Sequence, residues 1–225
     1  LYGSLILIFS LDADLYEVIF LSLKTSGLAT IIASSLGIIS GYFLSIYNTK
    51  IVNIITILIK SLMGIPPVVA GLIVYFIFSK SGPLGVFSIL YTPKAIIIAQ
   101  IIIVFPIVSS LIRELFVEFW NQYKDLTRSY NMSLMATIYV FIKNTYYLVY
   151  TVIFTGFARA ISEVGAVMIV GGNIEHYTRV MTTAVSFEVS LGNLQKALSL
   201  GIILIIITMV INVFVLHVSK KRMKH

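Results

Sequence analysis

The sequence predicts an all-α integral membrane protein with five transmembrane helices. Of its 225 residues, 59% are hydrophobic and 11% are charged, and the mean hydropathy is +1.02, far above that of a soluble domain. A helix needs about 20 apolar residues to cross a bilayer. Five spans with short connections therefore use up the length, and we expect a single transmembrane domain over residues 1–225, with its core at about 15–218.

Five apolar segments are long enough to span: residues 15–46, 51–78, 94–115, 145–171 and 197–218. The preceding residues 1–11 are too few to cross, and they predict a surface-lying or truncated helix. Because the chain begins with leucine rather than methionine, an extra N-terminal helix would be compatible with this prediction.

The basic residues of the connections predict the orientation, because cytoplasmic loops carry the excess of lysine and arginine. Nine fall on the side of the C-terminus: Lys50, Arg113, Lys124, Arg128, Lys143, Lys220, Lys221, Arg222 and Lys224. Four fall on the other side: Lys80, Lys94, Arg179 and Lys196. The C-terminus is therefore predicted to be cytoplasmic. The net charge of +7 then indicates contact with membrane lipid rather than with nucleic acid.

In the first segment, Ala29, Ala33, Gly37 and Gly41 recur every four residues. Small side chains at this spacing lie on one helix face and allow close approach of a second helix. We expect this face to pack within the chain, and a dimer interface is the alternative.

The second segment contains the stretch GIPPVVAGL, residues 64–72. Pro66 and Pro67 lack the N–H groups that would bond the carbonyls of Leu62 and Met63, so the helix is predicted to kink or unwind near residues 62–67. Irregular backbone at membrane depth is tolerated where it is buried in protein or lines a water-filled path. A translocation path and a purely structural kink are both open at this point.

The fourth segment contains ARAISEVGAVMIVGGN, residues 158–173, in which Arg159 and Glu163 stand one helical turn apart. Charges inside a membrane usually face a cavity or each other. A structural ion pair is the first interpretation, and direct attraction of an anion by Arg159 is the second. The glycines that follow are typical of a tight helix crossing or a gate.

The long connection at residues 116–144 is too polar to span, yet it is patterned. Leu126, Tyr130, Leu134 and Ile138 are predicted to share one face, which indicates a short helix, a break near Asn131 and a second helix. Such an element either lies along the membrane surface or docks onto a soluble partner.

The sequence contains no phosphate-binding loop, no H-E-x-x-H and no cysteine. ATP hydrolysis, zinc-protease chemistry and thiol redox chemistry by this chain alone are therefore not expected.

Three stretches together resemble the permease subunits of type I ATP-binding-cassette (ABC) importers, and most closely the tungstate-type oxyanion permeases related to the molybdate and sulfate ones. They are MGIPPVVAGLIVYFIFSKSGPLG (63–85), LYTPKAIIIAQIIIVFPIV (90–108) and FARAISEVGAVMIVGGNI (157–174). The resemblance covers residues 15 to 218. It implies a bacterial or archaeal cell membrane, the type I importer permease fold, and a path at the axis of a permease homodimer.

The resemblance also implies a cytoplasmic coupling helix, with the family signature E-A-A-x-x-x-G followed by I-x-L-P. Asp125 keeps the acid of this signature, Asn131 replaces its glycine, and the alanines and the final leucine-proline are absent. The implied ATPase-coupling residues are Lys124, Asp125, Arg128, Ser129, Tyr130, Asn131 and Met132. The implied path or gate residues are Pro66, Pro67, Gly71, Arg159, Glu163, Gly165, Gly171, Gly172 and Asn173.

Further partners follow from the same resemblance: a cytoplasmic ATP-binding subunit, which would hold ATP and magnesium, and an extracytoplasmic substrate-binding protein. No cofactor is expected in this chain. The expected function is ATP-driven import of an oxyanion, tungstate first, with molybdate or sulfate as alternatives. An ion-coupled secondary transporter and a membrane enzyme are the competing classes.

Overall fold

The computed structural model describes residues 13–220, and this part of the chain is helical throughout apart from its turns and loops. Eight α-helices follow one another: α1 Ala13–Ile46, α2 Lys50–Leu62, α3 Pro67–Phe78, α4 Pro93–Ser129, α5 Leu134–Ile161, α6 Gly165–Gly171, α7 Met181–Ser190 and α8 Leu194–Lys220. A short 3-10 helix, Gly85–Phe87, lies between α3 and α4. The predictions for residues 1–11 and for the basic residues 221–224 lie outside the described residues.

Three of the described helices, α1, α4 and α8, are long and apolar enough to cross a membrane. Two further pairs reach this length and composition only together: α2 with α3, bent by 108°, and α5 with α6, bent by 59°. The predicted second segment is thus broken as expected. The break inside the predicted fourth segment, at residues 162–164, was not predicted.

The break between α2 and α3 follows from its sequence. Helix α2 begins at an N-cap, where the Thr49 hydroxyl accepts a hydrogen bond from the N–H of Val52 at 3.3 Å. The chain leaves helical geometry after Met63, and Pro67 takes the first position of α3, where its missing N–H costs nothing. The predicted kink or unwinding near residues 62–67 is confirmed.

Helix α4 differs from the prediction, which ended the third span at residue 115 and placed a separate short helix after it. The structure has one continuous helix, Pro93–Ser129. Polar residues after residue 115 end the apolar pattern that predicts a membrane span, but the helix itself continues. Phe116 and Phe119 continue the buried stripe and pack on Phe141 of α5, with ring centroids 4.3 and 5.4 Å away. The predicted break near Asn131 is confirmed, since α4 ends at Ser129 and α5 begins at Leu134.

Helices α1 and α4 form the most extensive helix–helix contact in the described part of the chain. Ala29 and Ala33 are fully buried. A Cβ atom at Gly37 would lie 2.7 Å from Val108 Cγ1, and one at Gly41 would lie 2.8 Å from Ile112 Cγ2. The predicted small-residue face therefore packs within the chain, as expected.

We call the end of the bundle that contains the start of α1 and the loop 79–92 the upper end. The opposite end, with the 130–133 turn between α4 and α5, is the lower end. Helices α3 and α6 are the upper members of the two bent pairs.

Candidate functional site

The two bent helix pairs meet where their upper helices, α3 and α6, cross. A Cβ atom at Gly71 in α3 would lie 2.7 Å from Cα of Ala166 in α6, and one at Gly165 would lie 2.8 Å from Cγ2 of Val68. At Gly71 the near atoms belong to the backbone of Ala166, so only glycine allows this approach, whereas at Gly165 the Val68 side chain would have to shift. Pro66 and Val68 are exposed on one side of this crossing. The structure therefore brings together the proline break, Gly71 and Gly165, all of which the sequence singled out.

Arg159 and Glu163 form an ion pair beside this crossing, with 2.6 Å between Nη1 and Oε2. Arg159 lies in the last turn of α5, whereas Glu163 lies in the break between α5 and α6 rather than inside a helix. The burial is unequal, because the Arg159 side chain is 34% exposed and that of Glu163 is 3% exposed.

The protein holds Glu163 from several directions. Its Oε1 atom accepts a hydrogen bond from the N–H of Ala166 at 3.4 Å, and its backbone carbonyl accepts one from the Thr182 hydroxyl at 2.7 Å. The carboxylate is thus a fixed, buried counter-charge, and the guanidinium is the exposed partner.

Two supporting residues were not predicted. The Gln100 side chain is buried, and its Nε2 donates to Oγ of Ser26 at 3.1 Å and to the carbonyl of Ala160 at 3.0 Å, which joins α4, α1 and the end of α5. Thr182 in α7 holds Glu163, as described above. A signal for Gln100 was available, because an amide in an apolar span is rare and usually has a specific partner. Thr182 carries no such signal.

The residues Gly171, Gly172 and Asn173 lie at the far end of α6, separated from Glu163 by the length of that helix. Gly172 and Asn173 have left-handed backbones, with φ of 69° and 51°. Tyr91 of the upper loop donates its N–H to the Val170 carbonyl at 2.8 Å, and its ring lies against Gly172. These predicted residues therefore form the joint between α6 and the upper loop, not one pocket with Arg159.

Two side-chain contacts between helices or loops help to hold the upper end together. Nδ1 of His176 lies 2.7 Å from Oε2 of Glu17 in α1, which ties α1 to the loop between α6 and α7. The hydrogen bond to Glu17, together with its negative charge, raises the pKa of His176 above its ordinary value. Lys196 and Glu188 form a second such pair, at 3.2 Å, between α7 and α8.

The seven predicted coupling residues lie together at the lower end, in the last turns of α4 and the 130–133 turn. Arg128 and Tyr130 are exposed. The N–H of Met132 donates to the Thr127 carbonyl at 3.0 Å, and Asn131 has a left-handed backbone with φ of 45°. These contacts make the turn compact.

The prediction that Leu126, Tyr130, Leu134 and Ile138 share one helical face is wrong. The turn separates the first two residues, which are exposed, from Leu134, which is half-buried, and Ile138, which is buried. The chain reverses at residues 130–133, so α4 and α5 form a hairpin.

No family profile matches the chain, but named relatives do. It is 37% identical over 96% of its length to the tungstate uptake system permease protein TupB of Peptoclostridium acidaminophilum, of which it covers 94%. It is 32% identical over 97% of its length to the TupB permease of Campylobacter jejuni, covering 91% of that protein. A probable anion ABC transporter permease of Haloferax volcanii is 32% identical over 85% of this chain, which covers 84% of that protein.

These matches run through both broken spans and the lower hairpin, because they cover nearly the whole chain. The bundle of long apolar helices agrees with them. The chain therefore belongs to the family of ABC transporter permease proteins that includes the tungstate uptake permeases.

Proposed function

We propose that this chain is the permease subunit of an ATP-driven tungstate importer. The assignment of tungstate as the substrate rests on the 37% identity to a tungstate uptake permease over 96% of the chain. Import of molybdate or sulfate is the second candidate, supported by a probable sulfate permease that is 26% identical over 68% of the chain. In ABC systems of this kind ATP is hydrolysed by a separate subunit, and a substrate-binding protein delivers the substrate.

We propose that the chain is one transmembrane domain that crosses the membrane five times, each bent pair counting as one span. Its upper end faces the outside of a bacterial or archaeal cell, and its lower end and C-terminus face the cytoplasm. The nine basic residues predicted on the cytoplasmic side support this orientation. The path would run at the two-fold axis of a permease homodimer.

The gate of that path would be the crossing of α3 and α6. Both helices begin at a break inside a bent pair, and Gly71 and Gly165 allow them to lie in direct contact. A crossing of two half-spans can separate or close without unwinding either helix, because the bend already exists. Gly171, Gly172 and Asn173 would transmit movement of the upper loop to α6.

The 130–133 turn and the end of α4 would dock into the ATP-binding subunit. Exposed Arg128 and Tyr130, on a compact turn at the tip of a hairpin, support this assignment. ATP and magnesium would be bound by that subunit, and this chain would hold no cofactor. Closure of two ATP-binding subunits would draw the two hairpins together and open the gate toward the binding protein.

The decisive experiment reconstitutes the permease with its ATP-binding subunit and its binding protein in lipid vesicles. ATP hydrolysis and uptake are then measured with tungstate, molybdate or sulfate. We expect tungstate to stimulate both most strongly at low concentration. Preferential stimulation by molybdate or sulfate would show that the second candidate function is correct instead. Uptake that needs an ion gradient but no ATP would refute the ABC importer function.

A further inference from the structure

We propose that the Arg159 guanidinium is the group that contacts the anion during its passage, and that Glu163 limits how tightly the anion is held. This inference rests on the proposed function, since it requires that an oxyanion pass this chain. The sequence left a structural ion pair and an anion contact by Arg159 open, and the structure supports a separate role for each of the two residues.

The first argument is the unequal burial of the pair. Glu163 is 3% exposed and fixed by Ala166 and Thr182, whereas Arg159 is 34% exposed. An ion pair that serves packing alone is expected to bury both partners. Here the carboxylate is enclosed, whereas about a third of the arginine side chain is exposed.

The second argument is the number of free donors. A guanidinium has five N–H groups. In the part of the chain that the structure describes, Arg159 donates to one acceptor, Oε2 of Glu163. The pair is therefore not the two-pronged arrangement in which an arginine satisfies a carboxylate with two parallel bonds. The remaining donors suit the oxygen atoms of a tetrahedral oxyanion.

The third argument is position. Arg159 stands one turn before the break that begins α6. The exposed residues of the two breaks and of the start of α3, Ser162, Val164, Pro66 and Val68, carry no charge. Lys60 lies in the last turn of α2, but its partner Glu114 is exposed with it, whereas the carboxylate partner of Arg159 is enclosed.

The fourth argument concerns release. An unpaired arginine in a low-dielectric path would trap a doubly charged anion, and transport requires that binding be weak enough for the anion to leave. Glu163 cancels one positive charge at fixed distance. The site is then electrically neutral when empty, which also lowers the cost of burying it.

The test uses the fact that the chain has no cysteine. In the complex that carries Arg159→Cys together with Glu163→Gln, the thiol is modified with a cationic, a neutral or an anionic methanethiosulfonate. Because Glu163 is neutralised, a charge added at position 159 cannot restore the ion pair. Its effect on uptake therefore reports its interaction with the passing anion. Initial tungstate uptake is measured at subsaturating concentration, with the permease level and the extent of modification recorded.

At this subsaturating concentration, at which capture of the anion limits the rate, we expect the cationic reagent to give about three- to tenfold faster uptake than the neutral one, and the anionic reagent to give slower uptake than both. At saturating tungstate, at which release limits the rate, the cation without Glu163 should lose this advantage. Equal uptake with all three reagents would overturn the inference. Lys60→Cys with Glu114→Gln is the matched control, because it replaces another ion pair, 2.8 Å long, that joins α2 to α4. Its uptake should not depend on the charge of the reagent.

A second variant covers the case in which the double substitution fails to fold. Ser162→Cys leaves the native pair in place and adds a thiol at an exposed neighbour. We expect the anionic reagent to slow uptake there more than the cationic one. Failure of membrane-impermeant reagents to label this thiol would place it outside the aqueous path and overturn the inference. A wild-type complex that imports no oxyanion would instead refute the proposed function.

Discussion

At the scale of single residues, Gly71 shows most directly how the sequence sets the crossing of α3 and α6. A methyl group there would meet backbone atoms of Ala166, Cα at 2.7 Å and the carbonyl oxygen at 3.1 Å. Backbone cannot rotate away as a side chain can, so the two helices would have to separate.

Gly71→Ala should therefore destabilise the protein by about 1–3 kcal/mol, the usual cost of overpacking. Gly27→Ala in α1 is the matched control, because a Cβ atom there meets nothing within 4 Å and alanine is the better helix former. The thermal unfolding midpoint in detergent measures both. A Gly71→Ala midpoint at or above that of the wild type would contradict the tight crossing.

The Arg159–Glu163 pair makes a second prediction, about stability. Arg159→Gln leaves Glu163 buried without a counter-charge, whereas Glu163→Gln leaves Arg159 partly in solvent. We expect the arginine substitution to cost more, on the order of 1–4 kcal/mol, and the double substitution to cost less than either single one. Unfolding midpoints of the three variants form a double-mutant cycle. Additive losses would show that the two side chains do not stabilise each other.

The sequence predicted this pair but not its surroundings. Residues four apart reveal a possible contact, because a helical turn brings them together. Thr182 binds Glu163 and Gln100 binds Ala160, and both partners come from other helices. Only the packed structure shows which hydroxyl or amide faces the break.

At the scale of elements, the double proline sets where the second span breaks. Pro66 and Pro67 lie between α2 and the first turn of α3, and the two helix axes differ in direction by 108°. The sequence could predict the break, because a missing N–H is a local property. It could not predict the angle, because the direction of α3 is set by its contact with α6.

Replacing Pro66 and Pro67 together with alanine should allow α2 to continue toward α3 and disturb the crossing. We expect the protein still to insert, and uptake to fall several-fold. The measurement is uptake normalised to the amount of permease in the membrane. Unchanged uptake would mean that the bend does not shape the path.

The lower turn depends on Asn131, whose φ of 45° is unfavourable for most residues. Asn131→Val should cost about 1–2 kcal/mol and disturb the turn, whereas Asn131→Gly should preserve it. Under the proposed function, Asn131→Val and other disruptive substitutions within residues 128–132 should also uncouple ATP hydrolysis from uptake without preventing insertion. Substrate-stimulated hydrolysis by the reconstituted complex is the readout. Its full retention in Asn131→Val would contradict the coupling assignment.

The continuous length of α4 illustrates a limit of reading elements from hydropathy. The signal for a span ends where polar residues begin, near residue 115. The helix continues to Ser129 because Phe116 and Phe119 still have a buried partner in Phe141, a contact between residues far apart in sequence.

At the scale of the whole molecule, the contact between His176 and Glu17 links segments 159 residues apart. No local pattern predicts it. Glu175 and Asp14 also contribute negative charge around the imidazole, after the dominant effect of Glu17. The upper end is therefore held together partly by a histidine whose pKa is raised by its acidic neighbours.

Because the pKa of His176 is higher in the folded protein than its ordinary value of roughly 6.5, its contribution to stability is fully present below that value. The contribution is lost as the pH rises through the raised pKa. His176→Asn, a residue that tolerates the left-handed backbone at this position, should remove this dependence. The difference in unfolding midpoint between wild type and variant should shrink from about pH 5 to about pH 9. A difference that does not change with pH would show that the pair is not charged in the folded protein.

The pairing of α1 with α4 has one more consequence, which follows from length. The two helices have 34 and 37 residues and are about 51 and 55 Å long, against a hydrocarbon core of about 30 Å. Packed side by side at Gly37 and Gly41, the two helices extend beyond each other at opposite ends. If the pair tilts as one unit, Glu17 and the 130–133 turn would move in opposite directions. The two aqueous faces would then move together without a chain of intermediate contacts.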